Sequence, residues 1–167
     1  MSKAEFEQHM KYHSLMNAED IDDDQKRMIK DSWMVFLNKN VEDEKTRYRL
    51  TETFYENFFK ASPVGKRLFE SRTLEEQAKT LFKIISYIVN NIDDIGELNR
   101  YIKRLGGRHA LYGVTENDFI PFIDEWSKAM VTILGEKVMN DETIEAWNGI
   151  MRYCARSMIE AGKSYEE

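Results

Sequence analysis

The feature that most limits what this chain can fold into is how seldom anything interrupts it. Two prolines and eight glycines are spread over 167 residues, and no strand-like alternation or internal repeat survives counting. Sparse breakers of this kind favour long helices. Nine Met, nine Phe and eight Tyr supply a large apolar payload, and a chain of this length buries about two-thirds of its unfolded surface. The pattern therefore predicts one all-α domain over residues 22–163, an N-terminal extension over 1–21 with room for an extra helix, and a tail over 164–167.

Charge and cysteine usage remove several function classes. A net charge of −6 and a pI near 5.3 argue against a nucleic-acid partner, because basic runs such as Arg47 to Arg49 are short and flanked by acids. The single cysteine, Cys154, has no internal partner for a disulfide, and within a buried stripe it acts as a small apolar residue. No apolar stretch is long enough for a signal-peptide core or a membrane span. A cytoplasmic protein is the expectation.

Along the chain the helices follow one another closely. Acids at Asp22, Asp23 and Asp24 suit the start of a helix reaching Leu37, with Ile29, Trp33 and Phe36 on its buried face. A second spans Glu44 to Ala61 and is loaded with aromatics, among them Tyr48, Phe54, Tyr55, Phe58 and Phe59. Ser62-Pro63 closes it and opens a short helix ending near Leu68-Phe69. Thr73 and Glu76 form a capping-box pair for a third long helix, whose inner face carries Ala78, Leu81, Ile85, Ile88 and Val89, with Gln77 beside it. Further helices are expected from Ile95 to Gly106, Glu116 to Leu134 and Asp141 to about Ala161, the last with Trp147, Ile150, Cys154 and Met158 in a stripe.

Three histidines are present. His9 and His13 stand four apart in the polar extension and, without a third ligand, read as a solvated tail. His109 is different, because it follows Gly106-Gly107, which read as loosening a helix end, and precedes a new apolar pattern. Imidazole is the commonest metal ligand. A core histidine without metal is the other reading, and it needs a second polar partner in an apolar groove.

Taken together, these residues resemble the globin family. Leu50-Thr-Glu-Thr-Phe-Tyr55-Glu-Asn-Phe-Phe59, Phe69, Leu74-Glu-Glu-Gln77-Ala-Lys-Thr-Leu81-Phe and His109-Ala-Leu-Tyr-Gly-Val are similar to segments of single-domain bacterial globins and of the haem domain of flavohaemoglobins, in the same order. The likeness runs from about Asp22 to Ala161. It implies a globin fold, a helical sandwich around haem b (iron protoporphyrin IX), with His109 as the iron ligand and the Leu105 carbonyl accepting from its other ring nitrogen. On the opposite face it implies that Tyr55 and Gln77 donate hydrogen bonds to oxygen; otherwise Tyr55 is a core aromatic and Gln77 a surface glutamine. Phe69 would lie flat on the porphyrin, with Leu81, Ile85, Leu105, Val114 and Phe119 closing a dry wall. Arg108, Thr80 and Lys83 would meet the propionates, or else form a solvated face.

The functional expectation is a haem-iron globin of high oxygen affinity, for storage, delivery or scavenging. Nitric oxide, carbon monoxide and cyanide are further ligands that the resemblance implies, in a monomer or homodimer. Flavohaemoglobins carry a tyrosine where this chain has Phe119, and that tyrosine belongs to a network favouring oxygen activation. Its loss, together with the end of the chain after the haem domain, sets oxygen binding ahead of two alternatives. These are a nitric oxide dioxygenase served by an external reductase, and a haem-based gas or redox sensor. Weak peroxidase activity belongs to the enzymatic alternative.

Overall fold

A computed structural model describes residues 2–3, 21–40, 43–69, 72–111 and 116–166, with the backbone alone described at 44, 107–111, 116 and 163–166. Among the described residues every regular element is helical. The order is α1 (Asp23–Asn40), α2 (Glu44–Arg47), α3 (Arg49–Ala61), α4 (Pro63–Leu68), α5 (Leu74–Asn90), α6 (Ile95–Leu111), α7 (Glu116–Leu134) and α8 (Asp141–Glu166).

Short side chains at the helix starts satisfy backbone N–H groups that have no partner within the helix. At α1, Gln25 N donates to Asp22 Oδ1 (2.8 Å) and Asp22 N donates to Gln25 Oε1 (3.1 Å), a reciprocal cap. The capping box expected at α5 forms, with Glu76 N on Thr73 Oγ1 at 3.1 Å and Thr73 N on Glu76 Oε2 at 3.3 Å. Ser62 Oγ accepts from Gly65 N (3.0 Å), and Pro63 takes the first helical position of α4. Asn140 does the same for α8, accepting from Thr143 N at 2.9 Å. At the other end of α7 the chain turns through Gly135, whose φ of +84° is a conformation that glycine adopts without steric cost.

The helices stack in two layers of contact. α6 lies along α8, and α3 is held between α5 and α7. α8 also rests on α1 and α7. The apolar stripes read from the sequence are the ones that pack: Ile29, Trp33 and Phe36 of α1, Ile85, Ile88 and Val89 of α5, and Trp147, Ile150 and Cys154 of α8 are all buried. One buried polar contact ties α1 to α8. Trp147 Nε1 donates to Ser32 Oγ at 2.8 Å, and the Ser32 hydroxyl is in turn shared between the Met28 and Ile29 carbonyls at 2.7 and 3.0 Å.

The first helix ends at Asn40 rather than Leu37 and the last at Glu166 rather than near Ala161, and two further differences bear on the site. The helix foreseen over Glu44–Ala61 is two, broken at Tyr48 (φ −99°, ψ 7°), where Thr51 Oγ1 bonds the Tyr48 carbonyl at 3.1 Å and draws the chain into a turn. The second correction concerns His109. Gly106-Gly107 does not end α6, which continues to Leu111. A side chain at Gly106 would place its Cβ 2.5 Å from the Met158 carbonyl oxygen and 2.8 Å from Met158 Cα. The glycine is there because α6 and α8 nearly touch, and a helix tolerates it at roughly 1 kcal/mol relative to alanine.

Candidate functional site

Tyr55 and Gln77, expected on the oxygen side, lie on α3 and α5, two helices that pack against each other. Tyr55 sits in the middle of α3 and is 3% exposed. Its ring stands 5.6 Å from Phe69, at 67°, and 5.4 Å from Phe59. Phe69 closes α4 as a half-buried residue and also meets Phe58 and Phe59 at 6.5 and 6.0 Å. α4 can approach this closely because Gly65 lies against the Phe58 ring, where a Cβ would come within 2.5 Å of Cζ. Gln77 is the fourth residue of α5, buried at 5%, one turn before the buried Leu81 and two before Ile85. Its burial answers the alternative of a surface glutamine.

Among the described residues, neither the Tyr55 hydroxyl nor the Gln77 amide makes a hydrogen bond. Neither is fully closed off without a partner, so each polar group keeps a little accessible surface from which to donate. Burial also pushes the Tyr55 pKa well above the usual tyrosine value, with the nearby Arg72 guanidinium opposing the shift. Tyr55 is therefore protonated at neutral pH and able to donate. Two unpartnered hydrogen-bond donors in an aromatic and aliphatic wall suit a small acceptor carried by a cofactor.

On the other side, α6 buries Leu98, Ile102 and Leu105, at 0%, 0% and 9% exposure. Phe119, near the start of α7, matches Leu105 at 9%. His109 lies in the last turn of α6, inside the helix rather than beyond it. The side chains of His109 and Arg108, and all of Val114, fall outside the described residues, as do His9 and His13. Of the residues expected near propionates, Thr80 is half-buried and Lys83 exposed, both on α5.

Sequence reasoning passed over Arg72. It is exposed in the turn between Phe69 and Thr73, close enough for its charge to act on Tyr55. Its position directly before the capping threonine was the available signal. Cys154 is buried and its thiol pushed up to about 12, which keeps it a protonated core residue. Among the described residues no group of three or more His, Cys, Asp or Glu is placed to hold a metal ion, and no helix is long and apolar enough to cross a membrane.

Comparison with known proteins agrees with this arrangement. The model of the globin family matches residues 52–158, from α3 through most of α8 and across every part of the site described above. A flavohemoprotein from Rhizobium meliloti (strain 1021) is 29% identical over 103 residues, which is 60% of this chain and 25% of that relative. The chain thus corresponds to about a quarter of that longer protein. With these helices in this order among the described residues, a histidine in the last turn of α6 and a family match over residues 52–158, the chain belongs to the globin family.

Proposed function

We propose that the chain holds haem b with His109 as its axial ligand and binds oxygen with high affinity through Tyr55 and Gln77. When bound, haem supplies a ferrous iron that takes a diatomic gas as ligand. The protein's part is to orient and protect it. α6 presents His109 one turn after Leu105, whose backbone carbonyl is the acceptor we assign to the second ring nitrogen. Phe69, Leu81, Ile85, Leu105, Val114 and Phe119 form the apolar wall that excludes water, while Arg72, Thr80, Lys83 and Arg108 are the polar groups for the propionates.

The observation that carries the oxygen reading is the pair of buried donors with nothing to donate to. A gas ligand that gains negative charge accepts from both, and hydrogen bonds to charged groups contribute about 1.5–3 kcal/mol each, or roughly a 10- to 100-fold slower release per bond. Phe119 has no hydroxyl to tune the histidine side, which favours binding over onward oxygen chemistry. The name of the Rhizobium meliloti relative joins flavin to haem, which supports a flavin-containing reductase as the source of electrons that keep the iron ferrous. The test is an absorption spectrum of purified protein followed by the oxygen dissociation rate. A Soret band and slow release, accelerated in Tyr55→Phe and Gln77→Leu, are expected; unchanged release in both variants would reject the assignment of the donors.

A further inference from the structure

One side of α6 is basic in a chain whose net charge is −6. The helix carries Arg100, Lys103, Arg104 and Arg108 against a single acid, Glu97. Arg100, Lys103 and Arg104 are exposed, and their i, i+3, i+4 spacing sets them on one face, away from the buried Leu98, Ile102 and Leu105. Arg100 is paired with Glu97 at 2.9 Å. Lys103 and Arg104 have no ion pair among the described residues, and Arg104 lies over the Tyr101 ring, 5.9 Å from its centroid. Tyr101 in turn packs on Tyr87 of α5, with ring centroids 4.0 Å apart, and the Tyr87 hydroxyl donates to Glu97. Both rings are half-buried. Lys83, exposed one turn before Tyr87, extends the surface onto α5. The result is a pair of part-exposed tyrosines among cations, with the one acid of α6 already engaged by Tyr87 and Arg100.

We propose that this face docks the acidic surface of a flavoprotein electron donor that reduces the iron; the proposal rests on the haem reading above. Charge is the first argument. The rest of the chain is acidic and repels an extended polyanion such as nucleic acid or an anionic membrane, whereas a compact acidic patch on a globular partner meets only the α6 face. Composition is the second, since arginine and tyrosine are the residues that protein interfaces concentrate. Position is the third. Arg104 and His109 stand on the same helix, roughly 7–8 Å apart along its axis, so a partner seated here delivers its electron beside the assigned iron ligand.

Each encounter moves one electron. The flavin passes from its anionic hydroquinone to its neutral semiquinone as ferric iron becomes ferrous, so no bond forms and no proton crosses the interface. Uncompensated charge on Lys103 and Arg104 speeds the encounter and leaves the chemistry of the pocket alone.

The test uses the haem-loaded full-length protein, with flavodoxin, a small acidic flavoprotein, as the probe. At low salt, oxidised flavodoxin should bind in titration calorimetry, and reduced flavodoxin should reduce the ferric protein in stopped flow. Lys103→Glu with Arg104→Glu should weaken binding and slow reduction by about tenfold or more, and added salt should do the same to the parent. Reduction by uncharged lumiflavin semiquinone should be unchanged in that variant, which separates docking from damage to the pocket. Lys39→Glu with Lys137→Glu makes the same change of net charge at exposed positions on α1 and in the turn after α7, and it should leave both measurements at the parent's values. Equal slowing in the two double variants would mean that net charge alone steers, and overturns the docking face. Parent-like binding in the α6 variant, or a parent that does not bind flavodoxin, overturns it too. So does binding of the parent to phosphatidylglycerol vesicles, or its self-association at low salt, if either is lost in the α6 variant while flavodoxin binding is kept. If the α6 variant does not fold, Lys103→Gln with Arg104→Gln decides by the same readouts. A parent with no Soret band overturns the haem reading itself, whereas a normal Soret band with reduction indifferent to these residues overturns the docking face alone.

Discussion

Two buried polar pairs lie in this core, and they are built on opposite principles. Between α1 and α8, Trp147 Nε1 donates to Ser32 Oγ, and the serine hydroxyl in turn donates to the Met28 and Ile29 carbonyls. Between α3 and α5, Tyr55 and Gln77 are just as deeply buried, at 3% and 5% exposure, yet neither has a partner among the described residues. The first pair stabilises the fold, because each polar group lost from water is replaced by a protein hydrogen bond. The second adds no such bond to the fold, and its hydrogen bonds are left for something bound there to accept. Breaking each pair in turn should separate structure from function.

The largest effect is expected at His109, upon which both readings of the site depend. His109→Ala should abolish the Soret band of purified protein while leaving far-UV circular dichroism helical. If a full Soret band survives the substitution, the iron ligand lies elsewhere. Next comes the unpartnered pair. Tyr55→Phe combined with Gln77→Leu should raise the oxygen dissociation rate by roughly 10- to 100-fold for each bond lost. In the haem-free protein the same double variant should be as stable as the parent or more so, because it removes two unsatisfied polar groups from an apolar wall.

The satisfied pair should behave in the reverse way. Ser32→Ala leaves the Trp147 N–H buried and without an acceptor, at a cost of about 1–3 kcal/mol in denaturant unfolding. Its oxygen dissociation rate should not change. A loss of stability in the distal variant, or an altered off-rate in Ser32→Ala, would mean that the two pairs are coupled and the contrast drawn here is wrong.

The same contrast predicts a pH dependence. The folded state holds the Tyr55 pKa above its ordinary value by burial, so the group's contribution to stability is complete below pH ~10 and declines as pH rises beyond it. Oxygen release should accordingly be flat from neutrality to about pH 9, because Tyr55 stays a donor throughout that range. A release rate that titrates near neutral pH would assign the donor role to another group.

How much of this was legible in the sequence depended on whether the cause was local. Caps were, since Thr73, Glu76, Ser62 and Pro63 act on backbone atoms within four residues of themselves. The buried stripes of α1, α5 and α8 were also legible, being written in a 3.6-residue period. The end of α6 was not. Gly106 is a breaker in one context and a contact surface in another, and what decides is Met158, fifty-two positions away in the chain. The run of contacts from Trp33 through Trp147 to Trp126 was hidden for the same reason, because each residue reads as an ordinary apolar position until the helices are assembled; the break at Tyr48 was missed although its cause, Thr51, is local. Tyr55 and Gln77 were picked out through resemblance to globins, and their lack of partners emerged only from the packed structure.

The smallest expected effect tests whether the position of Gln77, rather than its chemistry alone, matters. Thr73 caps α5 through Glu76 N at 3.1 Å, and its carbonyl accepts from Gln77 N at 3.1 Å, so the first turn that carries Gln77 hangs on this cap. Thr73→Ala should cost about 1 kcal/mol of stability. Part of that loss is local fraying, which loosens Gln77 while leaving Tyr55 on its separate helix. The off-rate of oxygen should therefore rise modestly in Thr73→Ala, and the increment should vanish when Gln77 is already leucine, because the cap then holds no donor in place. A double-mutant cycle measures this. An increment that persists in the Gln77→Leu background but disappears with Tyr55→Phe would transfer the positional role of α5 to the tyrosine.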